Sequence, residues 1–187
     1  MRIIAGKFRG KALLSPADDT IRPTSDRARE AIFNMLVSRL GHDWTGLRVL
    51  DLFAGTGAMG LEALSRGAAN AVFVDSGAEA RGLIRDHIES FGLGGVAKLL
   101  RRDATALGPA GTMGPIDLVF LDPPYGQGLA EKALVSLSQN KWLSPDSTLV
   151  LEESAEAPLE LPAGYLLDDR RDYGAAAVYL LRPDAGN

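Results

Sequence analysis

The sequence predicts an α/β fold in which short buried parallel strands alternate with helices. The apolar run 49–53 precedes the glycine-rich stretch 55–60, and a run of this length beside glycines suits a buried strand better than a helix. Apolar residues at helical spacing follow over 59–64. Two further apolar runs, 71–75 and 116–121, end in or are followed by an aspartate. A strand, a glycine turn and a helix N-terminus together form the floor of a pocket for a nucleotide-like ligand.

The first 23 residues predict a basic hairpin and a polar loop. Residues 2–5 and 11–14 are expected to form two short strands around a glycine-bearing turn, with 15–23 as the loop. Residues 1–48 hold nine Lys/Arg against five Asp/Glu, a net charge of +4, whereas 49–187 hold eleven against nineteen, a net charge of −8. A basic arm on an acidic body favours an anionic partner such as a phosphate backbone. The alternative is a solvated hairpin whose charges protect its edge from aggregation.

Five residues of this arm are candidates for contact with nucleic acid: Arg2, Lys7, Phe8, Arg9 and Lys11. The ring of Phe8 could stack on a base or could pack beneath the turn, and the sequence leaves both interpretations open.

The remaining elements follow from periodicity and from the positions of glycine and proline. A helix over 25–40 should begin with Thr24 or Ser25 as N-cap, and its start, with Arg22, could reach the carboxylate of a ligand. The helix after the glycine turn should end at about residue 66. The other predicted elements are helices over 78–91 and 129–138, strands over 96–100 and 148–152, a loop over 107–115, and a closing antiparallel pair over 165–173 and 175–181.

Several polar and aromatic residues receive ordinary structural interpretations. The charged residues near the first helix start, among them Arg29, ordinarily indicate a charged, exposed helix face, although this helix start could instead reach a ligand. Glu152 and Glu153 lie at a strand end and could border the site, but solvated carboxylates are the preferred interpretation. The histidines, His42 and His87, lie far apart in sequence and are expected to be surface or packing residues. The residues expected to pack in the core or at its edge are Trp44, Trp142, Tyr165 and Tyr179.

Asp51 decides which ligand the glycine turn favours. The stretch 55–60 fits G-x-G-x-x-G, a weak signal alone, but Asp51 lies within the preceding strand, where a carboxylate would repel a pyrophosphate. A cationic ligand gains from that carboxylate, and S-adenosylmethionine (SAM) carries an ammonium and a sulfonium. The alternative is that Asp51 caps the turn. The candidate cofactor-binding residues here are Asp51, Phe53, Ala54, Gly55, Thr56 and Gly57, with Arg22 and Thr24 from the helix start.

Two more aspartates lie at predicted strand ends. Asp75 ends the second strand, 24 residues after Asp51, where a carboxylate can accept hydrogen bonds from both hydroxyls of a ribose. This geometry serves NAD and SAM equally, and a strand-end cap is the structural alternative. Asp103 follows the third strand and could accept from an adenine amine or pair with Arg101 or Arg102 in solvent.

The stretch Asp122-Pro123-Pro124-Tyr125, directly after the fourth strand, predicts catalysis on an amine. Two prolines hold the backbone extended and remove two amide donors, so the available groups are acceptors: the Asp122 carboxylate and the carbonyls of Asp122 and Pro123. Accepting both hydrogens of an exocyclic amine directs the nitrogen lone pair at an incoming methyl group. Tyr125 can supply a stacking face for a flipped base. The alternative is a rigid Pro-Pro turn without a catalytic role.

Composition limits the remaining possibilities. The 187 residues suit one domain, 1–187, with 1–23 as its N-terminal extension, and 46% apolar with 24% charged residues is typical of a globular protein. No cysteine is present, so disulfides and thiolate metal sites are excluded, and we expect no metal. No apolar run approaches the roughly 18 residues that cross a bilayer, and no secretory signal opens the chain. We therefore expect a cytoplasmic protein without membrane contact.

These motifs resemble a known family. The sequence resembles the class I, Rossmann-like, SAM-dependent amino methyltransferases in four features: the stretch 51–57, Asp75, Asp103 and the stretch 122–125. The stretches 2–10 and 22–34 are similar to the RsmD family, bacterial 16S rRNA guanine-N2 methyltransferases. The likeness runs from residue 2 to about 125 and continues weakly to 173–174.

The resemblance implies a seven-stranded mixed sheet with helices on both faces and an N-terminal hairpin that helps to hold RNA. It implies methylation of one guanine in the 16S rRNA of an assembled or assembling small subunit, by a monomer that uses SAM. Adenine-N6 methylation of DNA and glutamine-N5 methylation of protein use related motifs. An NAD-dependent oxidoreductase or a non-enzymatic nucleotide-binding module would explain the glycines but neither Asp51 nor the 122–125 stretch.

Overall fold

The computed structural model describes residues 1–18 and 24–186 of the chain. The helices in these ranges are α1 (Asp26–Leu40), α2 (Ala58–Ser65), α3 (Ala78–Ser90) and α4 (Leu129–Gln139). The strands are β1 (Arg48–Leu52), β2 (Asn70–Val74), β3 (Ala97–Leu100), β4 (Ile116–Leu121), β5 (Leu143–Ser154), β6 (Tyr165–Tyr173) and β7 (Ala176–Pro183). None of the helices in these ranges has the length and apolarity that a membrane span requires.

The seven strands of the described ranges form one mixed sheet in the order β3-β2-β1-β4-β5-β7-β6. The pairs from β3 to β5 are parallel, and β7 is antiparallel to both β5 and β6. The predicted Rossmann-like α/β fold and the closing antiparallel pair are confirmed. The strand bounds lie within two residues of the prediction except at the start of β5, which begins at Leu143 because that residue pairs with Ile116 across a ladder irregularity. Phe53 leaves β1 because its φ is +55°.

Alternate residues of the central strands face two separate cores. Val49, Phe73 and Phe120 pack against the layer of α1, α2 and α3, whereas Leu50 and Leu121 face α4. Helices therefore cover both faces of the parallel strands, which is why these strands are continuous apolar runs. The aromatic residues expected in the core or at its edge are all buried: Trp44, Trp142, Tyr165 and Tyr179.

The N-terminal hairpin, residues 1–13, is held by one antiparallel bridge, Arg2 to Ala12, and not by the two short strands that we predicted. The backbone donors that a longer ladder would use bond to α2. Glu62 accepts from the N–H groups of residues 4 and 5, and Ser65 accepts from those of residues 7 and 8, at 2.8–3.0 Å. Gly6, with φ +82°, permits this approach, since a Cβ there would lie 1.9 Å from the Ser65 carbonyl oxygen.

A buried charge cluster fixes the hairpin to the helices. Glu62 is fully buried, pairs with Arg66 at 3.1 Å and lies 3.8 Å from the Arg29 guanidinium. Arg29, which we expected on an exposed face, is also fully buried and donates to the Arg2 carbonyl and to Asp26. The exposed placement was wrong, because the buried Glu62 carboxylate balances the charge of this guanidinium in the interior. Both hydrogen bonds come from Nη2, and Nε and Nη1 have no hydrogen-bond partner among the described residues.

Removal of the Glu62 carboxylate should be strongly destabilising. Glu62→Ala leaves the buried Arg29 without its closest buried carboxylate and two hairpin N–H groups without acceptors. We expect a loss of about 3–5 kcal/mol in the free energy of unfolding, measured by urea denaturation. Glu89→Ala, at an exposed position of α3, is the matched control and should change stability by less than about 0.5 kcal/mol. Equal stability of the two variants would contradict this account of the cluster.

Candidate functional site

A cavity of about 840 Å³ opens at the carboxyl ends of β1, β2 and β4. β1 pairs with β2 on one side and with β4 on the other, so the crevice lies where the strand order reverses, the usual ligand site of such sheets. Most predicted site residues line it: Thr24, Asp51, Phe53, Ala54, Gly55, Thr56, Asp75, Asp122, Pro123, Pro124 and Tyr125. Gly57 and Asp103 do not line it, and Arg22 lies outside the described residues.

The loop after β1 turns sharply through three residues with positive φ: Phe53 at 55°, Gly55 at 58° and Gly57 at 79°. Phe53 is the unusual member, because a bulky residue rarely adopts this conformation. The third glycine of the motif, Gly60, serves packing: a Cβ there would lie 2.5 Å from the Phe73 ring. The requirement for glycine at this position therefore comes from helix-to-strand contact and not from a ligand.

Asp51 both caps the turn after β1 and lines the cavity. It is buried, with 3% of its surface exposed, and its Oδ2 accepts the Gly60 N–H at 3.0 Å, which ties β1 to the first turn of α2. It also lines the cavity, and no cation pairs with it among the described residues. Burial raises the pKa of Asp51 to about 8, so a cation in the cavity would favour ionisation of this carboxyl.

Asp75 links the two loops that face the cavity. Its Oδ2 accepts the Gly55 N–H at 2.9 Å and its Oδ1 accepts the Gly77 N–H at 2.8 Å. Each carboxylate oxygen has a second lone pair, so both can still accept from a ligand. Asp103 is exposed and accepts from the N–H and hydroxyl of Thr105, bonds that lower the pKa of the Asp103 carboxyl.

The motif at residues 122–125 lies beside the loop after β1, because β4 pairs directly with β1. The Thr24 hydroxyl donates to Asp122 Oδ2 at 3.4 Å, so the start of α1 reaches the motif. The Tyr125 hydroxyl donates to Glu152, and Glu153 Oε1 accepts the Gly126 N–H at 2.9 Å. β5 is parallel to β4, so its carboxyl end lies against the motif. Glu152 lines the cavity, as the alternative interpretation predicted, whereas the expectation of a solvated carboxylate was wrong for Glu153, which is buried.

The five candidate nucleic-acid residues lie outside the cavity, on the hairpin. Phe8 packs on Phe91 with 5.2 Å between ring centroids, the second of its two predicted interpretations. Lys11 donates to the Ser90 carbonyl at 2.7 Å, and Arg2 donates to the Gly10 carbonyl at 2.7 Å. The side chains of Lys7 and Arg9 are exposed.

His87 is the residue that sequence reasoning undervalued. It is buried, its Nε2 accepts the Leu14 N–H at 2.7 Å, and its Nδ1 lies 3.0 Å from the Thr56 carbonyl oxygen. Since Nε2 is an acceptor, the ring is neutral and Nδ1 carries the donated proton. Burial lowers the pKa of His87, in agreement with a neutral ring. His87 therefore connects Leu14, just after the hairpin, to the loop after β1. The helical spacing of His87 from the apolar Ile84 and Phe91 is the sequence signal that could have identified it as buried.

The comparison with known proteins decides the family. The family described as "Conserved hypothetical protein 95" matches residues 1–182. Ribosomal RNA small subunit methyltransferase D of Escherichia coli (strain K12) is 33% identical over 186 residues, 99% of this chain and 91% of that protein. The chain belongs to the RsmD family. The Haemophilus influenzae protein of the same name is 31% identical over 182 residues, 96% of this chain and 92% of the relative.

Solved structures agree with this assignment to the RsmD family. The structure of yhhF from Escherichia coli superimposes with a TM-score of 0.84 at 31% identity, and the match covers 100% of this chain and 99% of that one. The likeness therefore extends over the hairpin, the sheet and the cavity together.

The raised pKa of Asp51 predicts a stability that depends on pH. The folded carboxyl has a pKa of about 8 and the unfolded one about 3.8, so between these values the unfolded chain ionises while the folded chain stays protonated. Unfolding therefore becomes easier as pH rises towards 8. Asp51→Asn removes this ionisation, and we expect the variant to be more stable than the wild type by a few kcal/mol at pH 8 and by clearly less at pH 5.

Urea denaturation of both proteins at pH 5 and pH 8 measures this difference. Asp146→Asn, at an exposed position, is the control and should show no such trend with pH. A stability gap between wild type and Asp51→Asn that is the same at both pH values would contradict the raised pKa.

Proposed function

We propose that this protein methylates the exocyclic N2 amine of a guanine in 16S rRNA, with SAM as the methyl donor. The observation that carries the proposal is the shared cavity: the loop after β1 and the Asp122 motif after β4 line one space of about 840 Å³. A donor held at the first and an amine held at the second would meet there. The names of the relatives, ribosomal RNA small subunit methyltransferase D, support ribosomal RNA as the substrate class.

The donor side of the cavity fits SAM. Asp51 is a buried carboxyl without a cationic partner among the described residues, so the ammonium of SAM would stabilise its ionised form. Asp75 would accept hydrogen bonds from the ribose hydroxyls, and residues 53–56 of the loop after β1 would line the donor. When bound, SAM supplies an electrophilic methyl group on a positively charged sulfur.

The acceptor side would hold the amine. The Asp122 carboxylate and the carbonyl oxygens of Asp122 and Pro123 are acceptors for the two amine hydrogens, and neither proline offers a competing N–H. No strong base is required before attack, because the amine becomes far more acidic once it carries the methyl group. Asp122 would orient the nitrogen and receive the proton with or after transfer. Alignment of the two reactants can supply roughly 7–11 kcal/mol of the reduction in barrier.

Tyr125 would supply the stacking face for the flipped guanine. Its hydroxyl donates to Glu152, and the neighbouring Gly126 N–H is held by Glu153. The ring is thus oriented by β5 before a base arrives, which lowers the entropy that binding must lose.

The basic hairpin would bind the phosphate backbone, with Lys7 and Arg9 as its exposed cations. We further propose that the substrate is an assembled or assembling small subunit. The protein would act as a monomer in the cytoplasm, with 1–187 as one domain and 1–23 as its RNA-contacting extension.

Tritium transfer tests the proposed function directly. Purified small subunits from a strain without this activity are incubated with the protein and tritiated SAM, and the labelled nucleosides are then separated. Label in N2-methylguanosine supports the proposal. Label in methyladenosine or in ribosomal protein would overturn it. So would the absence of label from both the small subunit and deproteinised 16S rRNA assayed in the same way. Calorimetry with S-adenosylhomocysteine against NAD separates the methyltransferase from an NAD enzyme.

Loss of the Asp122 side chain should damage turnover far more than cofactor binding. Asp122→Ala removes the carboxylate that orients the amine, and we expect kcat to fall by roughly 10²-fold. The affinity for S-adenosylhomocysteine, measured by calorimetry, should stay within about threefold of wild type. Asp117→Asn, on the same strand but outside the cavity, is the control for general effects. Equal damage to turnover and to affinity would argue against the proposed role of Asp122.

Tyr125 and Glu152 should act as one unit. Tyr125→Phe keeps the stacking ring but loses the bond to Glu152, and Glu152→Ala removes the same bond from the other side. We expect each single variant to lower kcat about tenfold and the double variant to be little worse, a coupling of about 1 kcal/mol. Cofactor affinity, measured by calorimetry, should not change. Strictly additive effects of the two substitutions would contradict orientation of the ring by Glu152.

A further inference from the structure

A second basic surface lies on the side of α3 that faces the sheet edge. It is an open pocket of about 590 Å³ between α3 and β3. Arg81 and Arg85 lie one helical turn apart on α3, and Arg101 directly follows β3. The floor between them is apolar, formed by Ile88, Ala97 and Leu99. We call this surface the arginine pocket.

The charges of the arginine pocket are not neutralised within the described part of the chain. No carboxylate lines the pocket, and none of the ion pairs in residues 1–18 and 24–186 involves Arg81, Arg85 or Arg101. Arg81 donates to the Ser76 carbonyl at 2.6 Å, so its guanidinium is anchored. Arg85 and Arg101 are exposed, on a body whose residues 49–187 are otherwise net acidic. The three guanidiniums therefore form a local positive field.

The arginine pocket adjoins the candidate site. Ser76, which accepts from Arg81, also lines the main cavity. The carbonyl of Leu100, the residue before Arg101, accepts the N–H of Asp75 at 3.3 Å, and Asp75 lines the cavity as well. Residues 75–76 thus lie between the two spaces, and the arginine pocket adjoins the side of the cavity formed after β2, away from the Asp122 motif after β4.

The hairpin approaches α3 at a different set of residues. Lys11 bonds to the carbonyl of Ser90, Leu14 to His87, and Ala17 to Glu79 at 2.8 Å, so the segment 11–17 follows α3 along its length. None of these three α3 residues lines the arginine pocket. One set of α3 residues therefore contacts the segment 11–17, and a different set lines the arginine pocket.

We propose that the arginine pocket binds backbone phosphates of the RNA substrate, at a segment distinct from the one that contacts the hairpin. Guanidinium groups bind phosphate oxygens in bidentate geometry, and an apolar floor between arginines suits the face of an unpaired base. This inference rests on the proposed function, since it takes ribosomal RNA as the substrate. It adds a second contact, which would fix the direction in which the strand crosses the cavity mouth.

Charge removal tests the arginine pocket. The double variant Arg85→Gln/Arg101→Gln removes its two exposed cations and leaves Arg81, which anchors Ser76, in place. The matched control is Lys132→Gln/Lys141→Gln, which changes the net charge equally at exposed positions that line neither space and form none of the ion pairs of the described residues. Binding to deproteinised 16S rRNA and to small subunits is measured over a series of salt concentrations, and S-adenosylhomocysteine binding is measured by calorimetry.

We expect the arginine-pocket variant to bind both RNA probes on the order of tenfold more weakly at 0.1 M salt. Its slope of log affinity against log salt should be shallower by about 1.4–2, which corresponds to two lost phosphate contacts. S-adenosylhomocysteine affinity should equal that of wild type, and the control should keep the wild-type slope.

Three results would overturn the inference. The first is a salt slope of the arginine-pocket variant equal to that of wild type, and the second is a loss of RNA affinity equal to that of the control. The third is a loss of affinity for small subunits without a loss of affinity for deproteinised RNA, which would indicate a protein contact. The hairpin variant Lys7→Gln/Arg9→Gln, studied in parallel, keeps the two proposals separate. If the hairpin variant flattens the salt slope and the arginine-pocket variant does not, the result rejects only the proposed RNA contact of the arginine pocket. Failure of the wild type to methylate any RNA would instead reject the proposed function.

Discussion

The parallel pairing of β1 with β4 is the constraint on which the site depends. Leu52 lies opposite Leu121, so the residues that follow these two strands emerge side by side, at the roughly 4.8 Å spacing of neighbouring strands. The pairing is fixed by burial on both faces, because a slip of one residue would move every side chain to the opposite core. The loop after β1 and the Asp122 motif, distant in sequence, therefore share one crevice.

The hairpin depends on a different kind of interaction, buried charge. Backbone N–H groups of the hairpin are satisfied by Glu62 and Ser65 of α2, and the Arg29 guanidinium holds the Arg2 carbonyl. A buried ion cluster adds little net stability compared with an apolar core, but its geometry is specific. The hairpin is thus docked before any RNA is bound. Under the proposed function, RNA affinity would not be reduced by the entropy of ordering this segment.

The sequence was informative where a pattern is local and uninformative where a partner is distant. Periodicity gave the strands and helices, and the aspartates at strand ends gave Asp51 and Asp75 as cavity residues. Arg29, Glu62 and Glu153 were missed or misplaced, because a charged residue is ordinarily exposed and their buried partners are remote in the chain. His87 was undervalued for the same reason, since its partners lie 73 and 31 residues away. The glycine stretch 55–60 was expected to form a turn, but its third glycine, Gly60, serves packing on Phe73.

The two carboxyl groups of the cavity would contribute at different stages of the proposed reaction. Methyl transfer moves one positive charge from the donor side to the amine side. Asp51, at the end of β1, would attract a cationic donor from the moment it binds, so its contribution would be to affinity. Asp122, at the end of β4, would gain its strongest attraction only as charge develops on the amine nitrogen. An interaction that grows towards the transition state lowers the barrier, whereas one that is already complete in the bound state does not. The chemistry would therefore depend on Asp122 although Asp51 is the more deeply buried of the two.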